Sequence, residues 1–255
     1  MLAEKNLLLT GVSGGIGYAI MEDFVAKVKN LITSSRKKLS EFLKLDPIPK
    51  NLEHIPFDLT LERNVQELSQ QIRNKYGRLD IMINCVGGSL YSHPIEEFPI
   101  DEYDKIMEVN LKSAFLLTKF GIKIMKNNQQ GGNIVHFVSS SAKNISKDKA
   151  PYGVAKAGLA HLIHYAAYEA AKYNIIINGI SPTYVFTPKH EREINEKIQK
   201  TGVTKDEIIK SKLSRQLIKR PMYTNDLLEV VQLLITTQSI TGQIYNCAMG
   251  EILSY

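Results

Sequence analysis

Three residues in one stretch have the types and spacing for proton chemistry at an oxygen. In NIVHFVSSSAKNISKDKAPYGVAKAGL, residues 133–159, Ser139 closes an apolar run, and Tyr152 and Lys156 stand four apart. On a helix that spacing sets the phenol and the ammonium side by side on one face. A tyrosine hydroxyl titrates near ~10, too high for ready exchange at neutral pH, and a neighbouring ammonium favours the phenolate and lowers that value. Tyr152 then becomes a usable acid or base. A serine hydroxyl across the site can donate to a substrate oxygen as charge develops on it. Together the three suit adding or removing a proton at a carbonyl or alcohol oxygen. The tyrosine–lysine spacing alone is a weak signal, because the chain has 12 tyrosines and a surface lysine stacked over a tyrosine gives the same pattern.

The elements that must position these residues can be read on either side of them. Ile134 to Val138 is a short, β-rich apolar run bounded by Gly131, Gly132 and a serine cluster, which predicts a buried parallel strand with Ser139 at its carboxyl end. Ser140 is the alternative to Ser139. Pro151 fits the first turn of a helix that the Ala, Leu, Ile and Tyr content predicts from Tyr152 to Lys172. Near the start, Leu7 to Thr10 predicts a strand, followed at once by Gly11, Gly14, Gly15 and Gly17 and then by the amphipathic AIMEDFVAKV. Strand, glycine turn and helix start in that order predict a dinucleotide site: Gly11 permits the tight turn, and the later glycines let backbone N–H groups and the positive helix end approach a pyrophosphate.

The next predicted strand, Leu31 to Ser34, runs into Ser35, Arg36, Lys37 and Lys38. An NAD-selective site places an acid there for the ribose 2′-hydroxyl, whereas a guanidinium complements the extra phosphate of NADP. NADP(H) is therefore the expected cofactor, with NAD(H) not excluded and a solvated charge run as the competing reading. Phe57, Asp58 and Leu59 precede Thr60, a candidate cap for a helix ending at Gly77. Leu79 to Asn84 predicts another buried strand, after which Cys85 reads as a small buried thiol rather than a nucleophile. Tyr103 to Lys126 predicts one long helix carrying Asn110 and the apolar face of Leu111, Ala114, Phe115 and Leu117. Ile175 to Ile180 predicts a further strand. Beyond Pro182 the chain turns highly charged from Pro188 to Pro221, with a capping box at Thr204 and Glu207, and a substrate lid is expected over about residues 183–221. His161 and His164 share a helical face with no acid nearby, so they read as packing or interface residues, and no metal site is expected.

Composition bounds these readings. A chain of 255 residues with 44% hydrophobic content can bury one sizeable core, so a single domain is expected. Cys85 and Cys247 lie far apart without metal-ligand spacing, which argues against a disulfide framework or a zinc site. The opening MLAEKNLLLTGVSGG reaches the glycine turn too soon for a secretory signal, and no apolar run is long enough for a bilayer, so a soluble cytoplasmic protein is expected. The formal charge of +6 invites a nucleic-acid reading, but basic and acidic residues interleave and no nucleic-acid motif occurs. An anionic cofactor or substrate accounts for the bias instead.

Several motifs stand in one order along nearly the whole chain: TGVSGGIG at residues 10–17, NCVGG at 84–88, Asn110 in EVNLKSAFLLT, Ser139, YGVAK at 152–156 and INGISPTYVFT at 177–187. In this the sequence resembles the short-chain dehydrogenase/reductase family, and TGQIYNCAMG weakly resembles that family's closing segment. The resemblance implies an α/β, Rossmann-like, doubly wound and mostly parallel sheet with the cofactor across the carboxyl ends of its strands. It implies hydride transfer from NADPH to a carbonyl carbon while Tyr152 protonates the oxygen. Lys156 would lower the tyrosine pKa and bind the nicotinamide ribose, Ser139 would polarise the carbonyl, and Asn110 would complete a relay through a water or be a polar helix residue satisfied locally. Cofactor contacts carried over in the same way are Gly11, Ser13, Gly15, Ile16, Gly17, Ser35, Arg36, Lys37, Asp58, Leu59, Asn84, Gly87, Tyr152, Lys156, Pro182, Thr183, Val185 and Thr187; for Asp58, capping its own turn is the other reading.

The family's enoyl reductase branch has a longer tyrosine-to-lysine spacing that is absent here, which favours carbonyl reduction. Size and motif set further resemble 3-oxoacyl-[acyl-carrier-protein] reductases, so a 3-oxoacyl thioester, free or on an acyl carrier protein, is the expected substrate. Sugar, polyol, steroid and quinone carbonyls stay open, as does an NADP-sensing regulator without turnover. A homodimer or homotetramer is implied, through the helix carrying Asn110 and the helix beginning at Tyr152. Three departures from the family pattern stand out: Asn84-Cys85-Val86-Gly87 for Asn-Ala-Gly, Pro182-Thr183 for Pro-Gly, and Ala248, Met249 and Gly250 where Asp-Gly-Gly is usual.

Overall fold

Short apolar runs alternating with longer amphipathic ones predict strands covered on both faces by helices, and the computed structural model, which describes residues 2–253, has that form. Among the described residues nine strands form: β1 (Asn6–Thr10), β2 (Asn30–Ser35), β3 (Leu52–Pro56), β4 (Ile81–Asn84), β5 (Gly132–Phe137), β6 (Ile175–Pro182), β7 (Val185–Phe186), β8 (Met222–Tyr223) and β9 (Ile244–Cys247). Seven of them make one parallel sheet in the order β3-β2-β1-β4-β5-β6-β9. The order reverses between β1 and β4, and the crevice outside their carboxyl ends is where ligands of such sheets bind. β7 and β8 form a separate parallel pair.

Alternation along the strands divides the core. Leu8 and Ile32 pack with Val65, Leu68 and Ile72 of α2 (Glu62–Tyr76), with Leu117 of α4 (Ser113–Met125) and with Leu159 and Ile163 of α5 (Ala150–Ala170). Leu7, Leu9 and Leu31 point the other way, onto Ile20, Met21 and Phe24 of α1 (Gly15–Phe24) and Val231 and Leu234 of α8 (Leu228–Thr236). Side chains of successive strand residues face opposite sides, so one run of three leucines supplies both layers. α6 (Pro188–Thr201) and α7 (Lys205–Lys212) stand apart, with a small core of Phe186, Ile194, Ile208 and Leu213.

The predicted strands and the helix of Tyr152 and Lys156 form within two residues of their expected ends. The predicted helix from Tyr103 to Lys126 is not continuous. It begins earlier, as α3 (Ile100–Met107), then widens into a single π turn over Glu108–Lys112 before α4 continues it. Thr60 does not cap α2 either: Leu61 holds that position, and Thr60 donates both its N–H and its hydroxyl to Asp58 Oδ1, at 3.0 and 2.7 Å. The capping box at Thr204 and Glu207 forms at the start of α7, and Gly77 ends α2 at φ +74.

Candidate active site

The glycine turn is shaped by close backbone approach. Gly11 leaves β1 at φ +74, and a Cβ there would stand 2.6 Å from the carbonyl carbon of Cys85, so only glycine lets the turns after β1 and β4 meet. Gly14 starts α1 without any side-chain cap, which leaves the first N–H groups of that helix available to an anion. A Cβ on Gly15 would fall 2.6 Å from Cβ of Thr187, so the segment after β6 lies directly against the glycine turn. Thr187 itself spends its hydroxyl as the cap of α6, accepting from the His190 N–H, with Pro188 at the first helical position.

At the end of β2, Ser35 is buried and Arg36, Lys37 and Lys38 are exposed. Burial raises the Asp58 carboxyl. The Thr60 donors and the positive fields of Lys105 and Arg36 outweigh it and hold Asp58 below its ordinary range. Asp58 thus caps its own turn while facing Arg36, and the Leu59 side chain packs into the core beside Ile32 and Ile55.

Beneath the crevice runs a buried polar chain that the sequence reading did not identify. Thr10 Oγ1 and the Val86 N–H both donate to Asn84 Oδ1, at 3.0 and 2.9 Å, and Asn84 Nδ2 donates to His136 Nδ1 at 3.1 Å. His136 Nε2 then meets Thr118 Oγ1 at 3.0 Å, and that hydroxyl donates to the Ala114 carbonyl at 2.8 Å. With these polarities His136 is a neutral imidazole protonated on Nε2. Burial, helped by the field of Lys156, pushes its pKa down to about 3. A histidine inside an apolar β-run was the available signal, since a buried imidazole must find partners.

Above that chain lie the predicted catalytic groups, brought together as the spacing suggested. Lys156 is buried and donates to the Phe137 carbonyl at 2.8 Å. Burial lowers its ammonium to about 8. A Cβ on Gly87 would stand 2.8 Å from Asn110 Oδ1 and 2.9 Å from Lys156 Nζ, so that glycine is what lets the loop after β4 sit over both. Asn110, in the π turn, accepts from the Gly88 N–H at 2.9 Å and donates to the Gly88 and Ile106 carbonyls, each at 3.0 Å. The wide turn is what carries its amide sideways to the loop.

Ser139 begins a short turn at the end of β5, its hydroxyl accepting from the Ser141 N–H at 3.2 Å. Burial raises the Tyr152 pKa, and the nearby Ser139 hydroxyl acts against that rise, an influence that Ser140 does not exert. Lys156 was expected to be the lowering group. Its Nζ lies 6.0 Å from the tyrosine ring centroid and is already engaged by Phe137, so serine has that influence here. Burial also raises the Cys85 thiol well above its ordinary value, in keeping with an unreactive side chain. Among the described residues no group of three or more His, Cys, Asp or Glu could hold a metal ion, and no helix is long and apolar enough to cross a membrane.

At the end of β6, Pro182 pairs with Cys247 of β9, and the Thr183 N–H donates to the Cys247 carbonyl at 3.3 Å. Val185, buried, offers its carbonyl to His190 Nδ1 at 2.7 Å. The Thr183 hydroxyl donates to Glu251, a residue the sequence reading did not single out.

Comparison with known proteins identifies the family to which this fold belongs. Residues 5–198 match the family model described as short chain dehydrogenase. The chain is 30% identical over 202 residues to the 7alpha-hydroxysteroid dehydrogenase of Bacteroides fragilis, covering 77% of this chain and 78% of that one. It is 28% identical over 210 residues to the D-beta-hydroxybutyrate dehydrogenase of Rhizobium meliloti, covering 80% and 81% respectively. A solved structure of ElxO with NADP bound superposes with a TM-score of 0.86 at 24% identity, over 97% of this chain and 98% of that one, a likeness of fold. A match over most of the chain, on the sheet whose strand ends carry this site, places the protein among the oxidoreductases of the short chain dehydrogenase family.

Proposed function

We propose that this protein interconverts a carbonyl and a secondary alcohol with NADP(H) as redox partner. The observation that carries the reading is the gathering of Ser139, Tyr152 and a buried Lys156 at the carboxyl end of β5, with Lys156 Nζ 6.0 Å from the Tyr152 ring and against the loop that only Gly87 permits. A substrate oxygen between Ser139 and Tyr152 accepts from the serine as charge grows on it, and Tyr152 delivers or removes the proton. A bound nicotinamide supplies the hydride to the carbonyl carbon or takes it back from the alcohol. Lys156 holds positive charge 6.0 Å from the Tyr152 ring, and Asn110 fixes the loop after β4 and the π turn around it.

Cofactor fit is supported by the cradle itself. The backbone of Gly11, Ser13, Gly15, Ile16 and Gly17 would hold the pyrophosphate at the open start of α1, and Asn84, Gly87, Pro182, Thr183, Val185 and Thr187 would line the nicotinamide side. Ser35, Arg36 and Lys37 would meet the adenosine ribose, with Asp58 and Leu59 beside the adenine. Arg36 is exposed and shares its field with Asp58, so its guanidinium is free to take a phosphate. NADPH binding is expected to weaken about tenfold in Arg36→Ala, some ~1.4 kcal/mol, with NADH binding unchanged. Equal loss for both cofactors would refute the assignment to the 2′-phosphate.

The segment from about residue 183 to 221 serves in this reading as a substrate lid. For substrate we favour a 3-oxoacyl thioester, free or carried on an acyl carrier protein, because the net charge of +6 and the lysines of this segment would suit an acidic carrier. Exposed Phe115 on α4 and Tyr165 and Tyr168 on α5 support a homodimer or homotetramer through those helices. The test is NADPH oxidation with an acetoacetyl thioester and a panel of neutral ketones. Tyr152→Phe is expected to cut kcat by about 10³-fold or more while the protein still binds NADPH. Tight NADPH binding without turnover on any carbonyl would instead indicate a cofactor sensor.

A further inference from the structure

The strand that closes the sheet carries one acid back over the site, and its partners say where it stands. After β9 the chain turns through Ala248–Glu251, the Glu251 N–H donating to the Ala248 carbonyl at 2.8 Å. Its two central residues, Met249 and Gly250, have φ +50 and +79, the mirror-image turn that reverses a chain tightly. The Met249 carbonyl accepts from the N–H groups of Leu217 and Ile218, at 2.9 and 3.1 Å, which ties this turn to the segment after α7. Glu251 is thereby directed at the two walls of the cleft. Its Oε1 accepts from Asn144 Nδ2 at 3.0 Å and its Oε2 from the Thr183 hydroxyl. Asn144 belongs to the turn that begins at Ser139, its N–H bonded to the Ser140 carbonyl at 2.8 Å, and Thr183 directly follows the end of β6.

The carboxylate therefore bridges the turn that begins at Ser139 after β5 and the residue that follows β6. Both of these partners are neutral donors. They orient the carboxylate without forming an ion pair with it, and Glu251 itself is only partly buried. We propose that Glu251 is a charge filter: it admits a carbonyl substrate whose neighbouring group is neutral and turns away one that carries a carboxylate next to the reacting centre. This rests on the oxidoreductase reading above and narrows its substrate class to neutral 3-oxo esters, thioesters and ketones over free 3-oxo acids.

Like charges repel more strongly wherever water is partly excluded, and a discrimination of at least ~10-fold is expected. The experiment compares kcat/KM for the acetoacetyl thioester of N-acetylcysteamine and methyl acetoacetate with that for acetoacetate, in the wild type and in Glu251→Gln. Reading the neutral-to-anionic ratio cancels any loss common to both substrates, which is what a purely structural role would produce. The wild type is expected to favour the neutral substrates by at least ~10-fold, and Glu251→Gln to collapse that ratio by a similar factor. Because the variant is also a structural perturbation, the wild-type ratio is measured as well from low salt to about 0.5 M, where screening should narrow it several-fold. A ratio that Glu251→Gln leaves unchanged, or a wild type that prefers acetoacetate, overturns the filter while the oxidoreductase reading stands. Absence of turnover on all three substrates and on the ketone panel overturns both.

Discussion

The groups around Lys156 and those around Glu251 lie at the same end of one sheet, yet they are held in opposite ways. Lys156, Asn110, Asn84 and His136 are all buried and bond to backbone groups or to neighbouring buried side chains, and Gly11 and Gly87 let the loops after β1 and β4 close against them. The α6–α7 segment rests on a small core of four buried residues, and Glu251 is held by a turn with two left-handed residues and by the side chains of Asn144 and Thr183. Leu217 and Ile218 stay more than half exposed beside it. The first region cannot shift without opening the sheet. The second can change shape while the sheet stays closed, which suits a fixed proton-transfer group facing substrates of different size.

The sharpest way to break this contrast is to add one methyl group to the rigid side. Gly11→Ala places a Cβ 2.6 Å from backbone atoms of Cys85 in a conformation that disfavours any side chain. Backbone on both sides cannot yield, so a loss of about 3 kcal/mol is expected, a fall in Tm of roughly 6–12 °C. Thermal unfolding measures it, and a fall of less than about 2 °C would mean that this region is not rigid.

On the other side, Ile194→Ala removes a buried chain from the α6–α7 core, at a local cost of about 2–3 kcal/mol. The global Tm is expected to move little, while hydrogen exchange accelerates across residues 188–213 alone. A global fall matching that of Gly11→Ala would show that both regions unfold as one unit.

A smaller effect separates them by pH. His136 is held near 3 in the folded chain against an ordinary value near 6.5, so above pH 6.5 both folded and unfolded forms are neutral and its stabilisation is fully present. As pH falls below 6.5 the unfolded chain binds a proton that the folded one refuses, and stability drops by about 2 kcal/mol by pH 5 from this group. Urea unfolding of the wild type and His136→Gln between pH 7 and 5 should show that slope in the first and its loss in the second. Parallel curves would mean that the imidazole titrates normally.

The same contrast explains how much could be read from the sequence. The strands, the glycine turn and α5 depend on neighbours within a few residues, and periodicity and spacing reveal such neighbours. The π turn escaped because the apolar pattern runs straight through it, and what widens it is Asn110 binding Gly88, 22 residues back. His136 was hidden in an apolar run because its partner Asn84 is 52 residues away. Glu251 was invisible for the same reason, with partners 107 and 68 residues distant. Thr187 differs, since a threonine followed by proline at a helix start was readable as a cap, and the family resemblance assigned its hydroxyl elsewhere.

Met249 sits where the two regions join, which makes it a fine gauge of how they are coupled. At φ +50 a methionine carries roughly 1–2 kcal/mol of left-handed strain that glycine would not, while glycine costs about 0.5–1 kcal/mol more chain entropy on folding. Met249 also packs partly against the core cluster under β6, so its side chain returns some of that strain as contact. Met249→Gly is therefore expected to change global stability by only a few tenths of a kcal/mol, in either direction. Its informative readout is elsewhere: the carbonyl of residue 249 still accepts from Leu217 and Ile218, so hydrogen exchange at those two amides should rise only slightly. If it rises instead to the level of Ile194→Ala, the left-handed methionine is what couples the closing strand to the mobile side, and the departure from Asp-Gly-Gly at this turn controls how readily the α6–α7 segment opens.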